Sequence, residues 1–488
     1  MSFTNNLTPL SDRSNAAIAL LAEIDPCFLI GFAHLEEKHL AAIDSLQRIF
    51  QGTTFSAALE AMGKAFTNYE FTPSVFTTLA VARASILGAL SDDLQQQVQQ
   101  ALGRSPLESS PSKPHPPDTL DSAADSVQAQ MDSIQHWLME VAIGGFTRLG
   151  TSTWKPFLPT LETLQSEPSL IRQAALLTGL IDEFSTHLPA SNIHDIPLHR
   201  WVDLWMQAML LTLRSPSHSR NLQPIAISGN LQLLGLDIRH HVNLVSLVAY
   251  GVLKVTNSER LQLVRITLSR YSVPAITGDE IWLLFADAKS LFEALAQQQT
   301  LQLEKAQLLP TGDLVWDINT VNATLGEAYD LLKLATAFSP NPVNIADIPI
   351  LCSIAPGDSH PIQIAEPVFL NGYKAVNQKD VINLTWDGHP SLPIAMERLS
   401  PLSAIAVGNL VKSTQMFGLL RFDAGHWSMQ PLFITIKSKR ICPSQTATEI
   451  LNKPPTTNKI TILKERASRL LRKSKPSSYS QSNPESNP

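Results

Sequence analysis

Apolar residues recur at spacings of three and four through residues 13–102 and again from about residue 126 to residue 213. In "AHLEEKHLAAIDSLQRIF", Leu35, His39, Ala42, Leu46 and Ile49 fall on one helical face, and "QGTTFSAALEAMGKAF" repeats the pattern. A third helix is expected from Pro73 to Leu102, with the proline in its first turn. Beyond residue 126, Val127, Met131, Ile134, Leu138 and Val141 form a heptad-like seam. It is too short for a coiled coil and is read as packing within a bundle. Gly144 and Gly145 loosen that helix, and "PSLIRQAALLTGLIDEF" supplies another. The segment "RWVDLWMQAMLLTL", Arg200 to Leu213, is apolar almost all round except for a narrow stripe holding Arg200, Asp203 and Gln207. A helix with that pattern is buried. Trp201 and Trp205 are therefore core anchors, and Arg200 and Asp203 are read as buried polar groups. The carboxylate needs a cation, from Arg200 or from a distant arginine.

From about residue 221 the period changes. "PIAISGNLQLLGLDI", "HVNLVSLVAYGVLKV" and "ERLQLVRITLSRY" are long, β-branched and separated by turn residues, with "TNSE" as a hairpin loop. "GDEIWLLF" reads as a fourth strand, "LLPTGDLVWDI" as a hairpin and "NATLGEAYDLLKLATAF" as a helix. "IPILCSI", "VINLTWDG" and "FGLLRFDAGHWSMQPLFITI" read as further strands. The expected class is α+β multidomain: an all-α N-terminal half, then a β-rich, mostly antiparallel, barrel- or sandwich-like C-terminal half. The boundaries follow composition. They are a helical region over 1–103, a disordered Pro/Ser-rich linker over 104–126, and a second helical region over 127–220 that could share one bundle with the first. A β-rich domain over 221–438 and a basic, largely disordered tail over 439–488 complete the chain. No internal repeat is evident.

Composition adds less. The chain has 488 residues, 16% of them charged against roughly 25% on average, and a formal net charge of -6, which does not advertise nucleic acid as a partner. The cysteines Cys27, Cys352 and Cys442 are far apart and form no metal-binding pair. No apolar run in the sequence reaches the ~20 residues of a membrane span, and the start lacks a signal-peptide pattern. The expectation is a cytoplasmic protein with no transmembrane segment and no cofactor.

No phosphate-binding loop, dinucleotide fingerprint, zinc-protease or serine-hydrolase motif is present. Three histidine-bearing stretches remain. In "LDIRHH" (Asp237, Arg239, His240, His241), adjacent strand residues face opposite ways, which disfavours a shared metal. "WDGH" and "FDAGHW" set Asp387 before His389 and Asp423 before His426. Brought together, these four could ligate a metal, but glycine-bearing hairpin turns explain them more simply. The tail combines an apolar stripe with Lys464, Arg466, Arg469, Arg472 and Lys473. It is a candidate for docking on an acidic protein groove, an anionic membrane or nucleic-acid phosphates, set against a solvated flexible tail.

"PLHRWVDLWMQAMLLTL" and, more loosely, "FLIGFAHLEEKHLAAIDSLQRIFQGT" resemble bacterial proteins encoded beside MoxR-type AAA+ ATPases and von Willebrand A-domain proteins. The resemblance covers the helical half, carries no catalytic motif, and implies an accessory role in an ATPase-driven assembly, with an AAA+ ATPase as the partner. The functional expectation is a non-enzymatic accessory or scaffold protein acting through protein–protein contacts. One alternative is a nucleic-acid-binding protein that stacks bases on Tyr250, Tyr271, Trp282 or Trp427 and uses the basic tail. A second is a hydrolase or metal enzyme built on the Asp/His pairs.

Overall fold

The computed structural model describes residues 2–104, 125–166, 170–188, 196–213, 224–240, 244–256, 258, 261–272, 276–317, 321–340, 360–379, 381–400, 404–437 and 439–452. A helical half comes first: α1 (Ser2–Leu7), α2 (Asp12–Ile30), α3 (Glu37–Ile49), α4 (Ser56–Asn68), α5 (Pro73–Ala101), α6 (Asp125–Gly144), α7 (Thr151–Trp154), α8 (Leu158–Ser166), α9 (Ile171–His187) and α10 (Leu198–Leu211). The seam residues Met131, Ile134, Leu138 and Val141 are buried in the bundle core, as their spacing predicts. Trp201 and Trp205 are wholly buried there too, with their indole N–H groups donating to Glu183 and to the Leu138 carbonyl. That satisfies the polar ends of two rings the core must otherwise bury at a cost.

An internal repeat, unseen in the sequence, organises this half. Gly31-Phe32-Ala33-His34-Leu35 after α2 and Gly145-Phe146-Thr147-Arg148-Leu149 after α6 adopt the same form. Each is a glycine at positive φ (93° and 82°) followed by a single 3-10 turn. The rings that follow match as well. Phe32 meets Phe66 near the end of α4 at 4.8 Å and Phe76, fourth residue of α5, at 5.3 Å. Phe146 meets Phe184 near the end of α9 at 5.6 Å and Trp201, fourth residue of α10, also at 5.6 Å. The two units cross at their glycines. A Cβ on Gly31 would lie 2.5 Å from the Ile143 carbonyl oxygen, and one on Gly145 would lie 2.4 Å from the Gly31 nitrogen. Only glycine allows this approach.

The β-rich half is antiparallel. Strands β1 (Ile225–His240), β2 (Leu244–Val255), β3 (Leu261–Tyr271), β4 (Gln299–Leu308), β5 (Leu314–Val315) and β6 (Asn322–Ala328) form one sheet in the order β3-β2-β1-β4-β5, with β6 also on β4. The Arg265 N–H donates to the Gly312 carbonyl at 3.1 Å and so brings the two edges together, nearly closing a barrel. Helix α11 (Lys289–Gln297) packs into its core, and α12 (Leu331–Thr336) follows β6. Strand β7 (Glu366–Asn371) leads to a small sheet of β8 (Lys374–Gln378), β9 (Val381–Thr385) and β10 (Leu392–Pro393). After the short α13 (Val407–Leu410), β11 (Gln415–Asp423), β12 (His426–Ile436) and β13 (Lys439–Ile441) join β7 in a four-stranded sheet, and α14 (Pro443–Asn452) ends the described chain.

That four-stranded sheet is apolar on both faces. Phe417 and Leu419 pack towards the barrel, whereas Met416, Leu420 and Phe422 pack towards α1 and the last turns of α5. Helix α5 is the spine of the molecule: Phe76 to Leu87 sit in the bundle core, and Leu90 to Ala101 sit in the core shared with the strands. By length and composition it is the one described helix apolar enough to cross a membrane. Its burial in both cores accounts for that character.

Some elements differ from expectation. Gly278–Ala288 ("GDEIWLLF" and beyond) is 3-10 helical rather than a strand; it turns Ile281, Trp282 and Phe285 inward. "NATLGEA" is strand β6 rather than helix, because pairing with β4 outweighs its helical composition. The folded chain also extends past 438: β13 pairs with β12, and α14 buries Ala447 beside Cys442. "IPILCSI", most of the 104–126 linker and the tail cations lie outside the described residues.

Candidate functional site at the seam of the two halves

Helices α2, α5 and α10, the stretch at His360 before β7 and the end of β11 converge where the halves meet. Arg83, in the middle of α5, is 2% exposed. Its Nε and one terminal nitrogen grip both oxygens of Asp25 from α2 at 2.9 and 3.0 Å; its other terminal nitrogen bonds Asp203 Oδ1 of α10. The distant arginine that Asp203 needs is thus Arg83, a hundred and twenty positions away. Across the seam, His360 Nε2 lies 3.2 Å from Asp203 Oδ2, close enough for an ion pair though off the line of a hydrogen bond. His360 Nδ1 accepts the Ile362 N–H at 3.2 Å, which fixes the ring with Nε2 towards Asp203.

The two carboxylates are not equivalent. Burial pushes the Asp25 carboxyl above its ordinary value in spite of Arg83. Burial acts the same way on Asp203, but the Arg83 charge and the His360 contact outweigh it and hold that carboxyl low. Arg83 is raised: burial opposes its charge, and the two carboxylates overcome it. Two acids around one guanidinium leave one negative charge in a nearly dry place, where a charge is costly.

These groups border a cavity of about 250 Å³. Its polar wall is Asp25, Arg83, Asp203, His199, His360 and Asp423; its apolar wall includes Ile18, Leu21, Leu87, Leu90 and Phe422. At the rim, Asp423 at the end of β11 receives His199 Nε2 at 3.3 Å and Arg200 at 2.8 Å, with Arg398 at 3.6 Å. Burial opposes its charge, but the His199 and Arg200 contacts outweigh that and hold its carboxyl below the usual range. Arg200 is therefore not the buried partner expected of it. Its side chain is 47% exposed and reaches across the seam, because it stands on the flank of α10 that faces β11.

The other sequence candidates separate. Asp387 and His389 sit in the turn between β9 and β10, and Gly388 there has φ 75°. Asp423 and His426 pair across the two-residue turn of the β11–β12 hairpin, where Ala424 and Gly425 take positive φ. The hairpin explanation holds for this pair, and among the described residues no group of three or more His, Cys, Asp and Glu side chains could hold a metal ion. Asp237 pairs with Arg239 at 2.9 Å on one face of β1, and His240 ends that strand; His241 lies outside the described residues, as do Lys464, Arg466, Arg469, Arg472 and Lys473. Of the four rings considered for base stacking, Trp282 and Trp427 are buried, Tyr250 is half-buried and Tyr271 is 82% exposed, so they form no common platform. Sequence reasoning missed Arg83, Asp25, His199 and His360. Charged residues inside the apolar helices, Asp25 in α2 and Arg83 in α5, were the available signal. Comparison with protein-family models, with curated proteins and with solved structures finds no match for this chain.

Proposed function

We propose that the protein is a non-enzymatic interaction protein that grips a cationic group of a partner, a lysine side chain, in the seam cavity. The observation that carries this is the surplus negative charge of Asp25 and Asp203 around a single Arg83, set in a cavity with apolar walls. An ammonium group offsets that charge, while the lysine methylenes lie along Leu21, Leu87 and Leu90. The cavity is formed by both halves, so an occupant bridges them. In the setting that the sequence resemblance implies, the partner is a component of an ATPase-driven assembly.

The test is titration calorimetry of the full chain with acetyl-lysine-methylamide (free side-chain amine) and its norleucine counterpart. Binding of the lysine compound alone is expected, weakening with salt. Asp25→Asn should lower its affinity about tenfold or more, the scale of a charge-assisted hydrogen bond. Equal binding of the two compounds, or an unaffected Asp25→Asn variant, would overturn the reading.

A further inference from the structure

Two histidines line the seam cavity, and their rings are held differently. His360 has Nδ1 taken up by the Ile362 N–H and Nε2 turned to Asp203, so a second ring proton would displace that N–H. His199, second residue of α10, points Nε2 at Asp423 from 3.3 Å, and its side chain is 42% exposed. Among the described residues nothing bonds its Nδ1. A proton added to His199 therefore breaks no existing bond and sets a positive charge at the cavity rim. The charges around it come from both halves. Asp423 of β11 faces it, but Arg200 and Arg398 already reach that carboxylate at 2.8 and 3.6 Å. Asp25 of α2, Arg83 of α5, and Asp203 share the cavity wall with it. Asp25 feels the ring: a charge on His199 acts to lower that carboxyl.

We infer that acid releases the lysine from the seam cavity, because a proton on His199 and the lysine ammonium compete for the same surplus negative charge. The inference rests on the lysine-grip reading and adds its regulation. Asp25 and Asp203 around Arg83 leave room for one further cation. Asp423, already shared by two arginines, does not absorb the new charge in full. A lysine amine keeps its proton to about pH 10, whereas imidazole is the side chain that changes charge between about pH 5 and pH 8. The ligand is thus constant over that range and the wall is not. Binding favours the deprotonated ring, so affinity falls as pH falls and protons leave as lysine enters. Like charges about 8 Å apart at an effective dielectric of about 20 repel strongly enough to change affinity about tenfold after partial offset by Asp423.

The experiment is calorimetry of the full chain with acetyl-lysine-methylamide from about pH 8 to about pH 5.5. Two buffers of different ionisation enthalpy count the protons released on binding. Affinity is expected to fall about tenfold over that range, with a fraction of a proton released per compound bound near its middle. In His199→Gln, whose amide can still donate to Asp423, the ratio of affinities at the two ends should shrink to about twofold or less, whatever the affinity itself. His360→Gln should keep the parent's ratio. Circular dichroism checks folding, and the parent's own proton count decides the matter if a variant is damaged. No binding at about pH 8 refutes the lysine grip itself, and this inference with it. Binding that is equally tight at both ends of the range, without proton release, overturns the inference alone. So does a full tenfold fall in folded His199→Gln, which assigns the proton to Asp25 or His360.

Discussion

Replacing Arg83 by methionine removes the guanidinium bonded to Asp25 and, among the described residues, leaves Asp203 with His360. Methionine keeps most of the aliphatic volume, so the loss is chiefly electrostatic. Removing one partner of a buried ion pair costs about 3–5 kcal/mol, because the charge left behind is neither solvated nor paired. Both aspartate side chains are at most 12% exposed, which places Arg83→Met at the upper end of that range at pH 7. The penalty should depend on pH. Without the arginine, burial raises both folded-state pKa values above the unfolded value of about 3.9. A group raised in this way is stabilising below its unfolded pKa, and that stability is lost as pH rises through the folded pKa. The variant should therefore be far weaker than the parent at pH 7 and recover part of the difference by pH 4.5. Urea unfolding followed by indole fluorescence reads this directly, since Trp201 and Trp205 flank Asp203 on α10. The triple variant Arg83→Met, Asp25→Leu, Asp203→Leu removes every charge of the trio and should return to within about 2 kcal/mol of the parent. A single variant within about 1 kcal/mol of the parent at pH 7, or a penalty equal at both pH values, would refute the reasoning.

Two further outcomes follow from the same structure. Asp423 has its folded pKa held low by His199 and Arg200, so its pairing stabilises above the ordinary carboxylate range and is lost as pH falls through the lowered value. Asp423→Asn should flatten the fall in stability between about pH 5 and pH 2 in an acid titration by circular dichroism; an unchanged slope contradicts this. Gly31→Ala and Gly145→Ala should each cost about 1–3 kcal/mol or more in thermal or urea unfolding. Gly88→Ala, inside α5 with open space around its Cβ, should instead gain about 0.5–1 kcal/mol. Equal effects at the three positions would contradict the close crossing.

Legibility in the sequence followed the range of the interaction. The burial of α10 was readable because apolar residues occupy nearly its whole circumference, a property of consecutive residues. The hairpin at 423–426 was readable from Asp-Ala-Gly-His for the same reason. Asp203's need for a cation was also readable, but not which one: Arg83 and His360 come from other elements, and no local pattern encodes that meeting. Arg200 shares a helical stripe with Asp203, yet the stripe straddles the border of the core, so one residue turns in and the other out to Asp423. Helix and strand were confused where a short apolar run fits either period, as in Gly278–Ala288, or where edge pairing decides, as in β6. The repeat escaped because its signature is five residues long and only Gly, Phe and Leu are common to both copies.

The crossing at Gly31 and Gly145 acts as a mechanical joint. Each glycine supplies the space that the other's backbone occupies, so the two positions are one constraint written twice. A side chain at either site already forces the units apart, and adding the second finds much of that separation in place. The energetic cost of the pair therefore falls short of the sum of its parts. The helical units can still vary their outer faces freely, but the hinge that sets their mutual angle, and with it the stance of α5 and α10 around Arg83 and Asp203, can change only by changing both copies together.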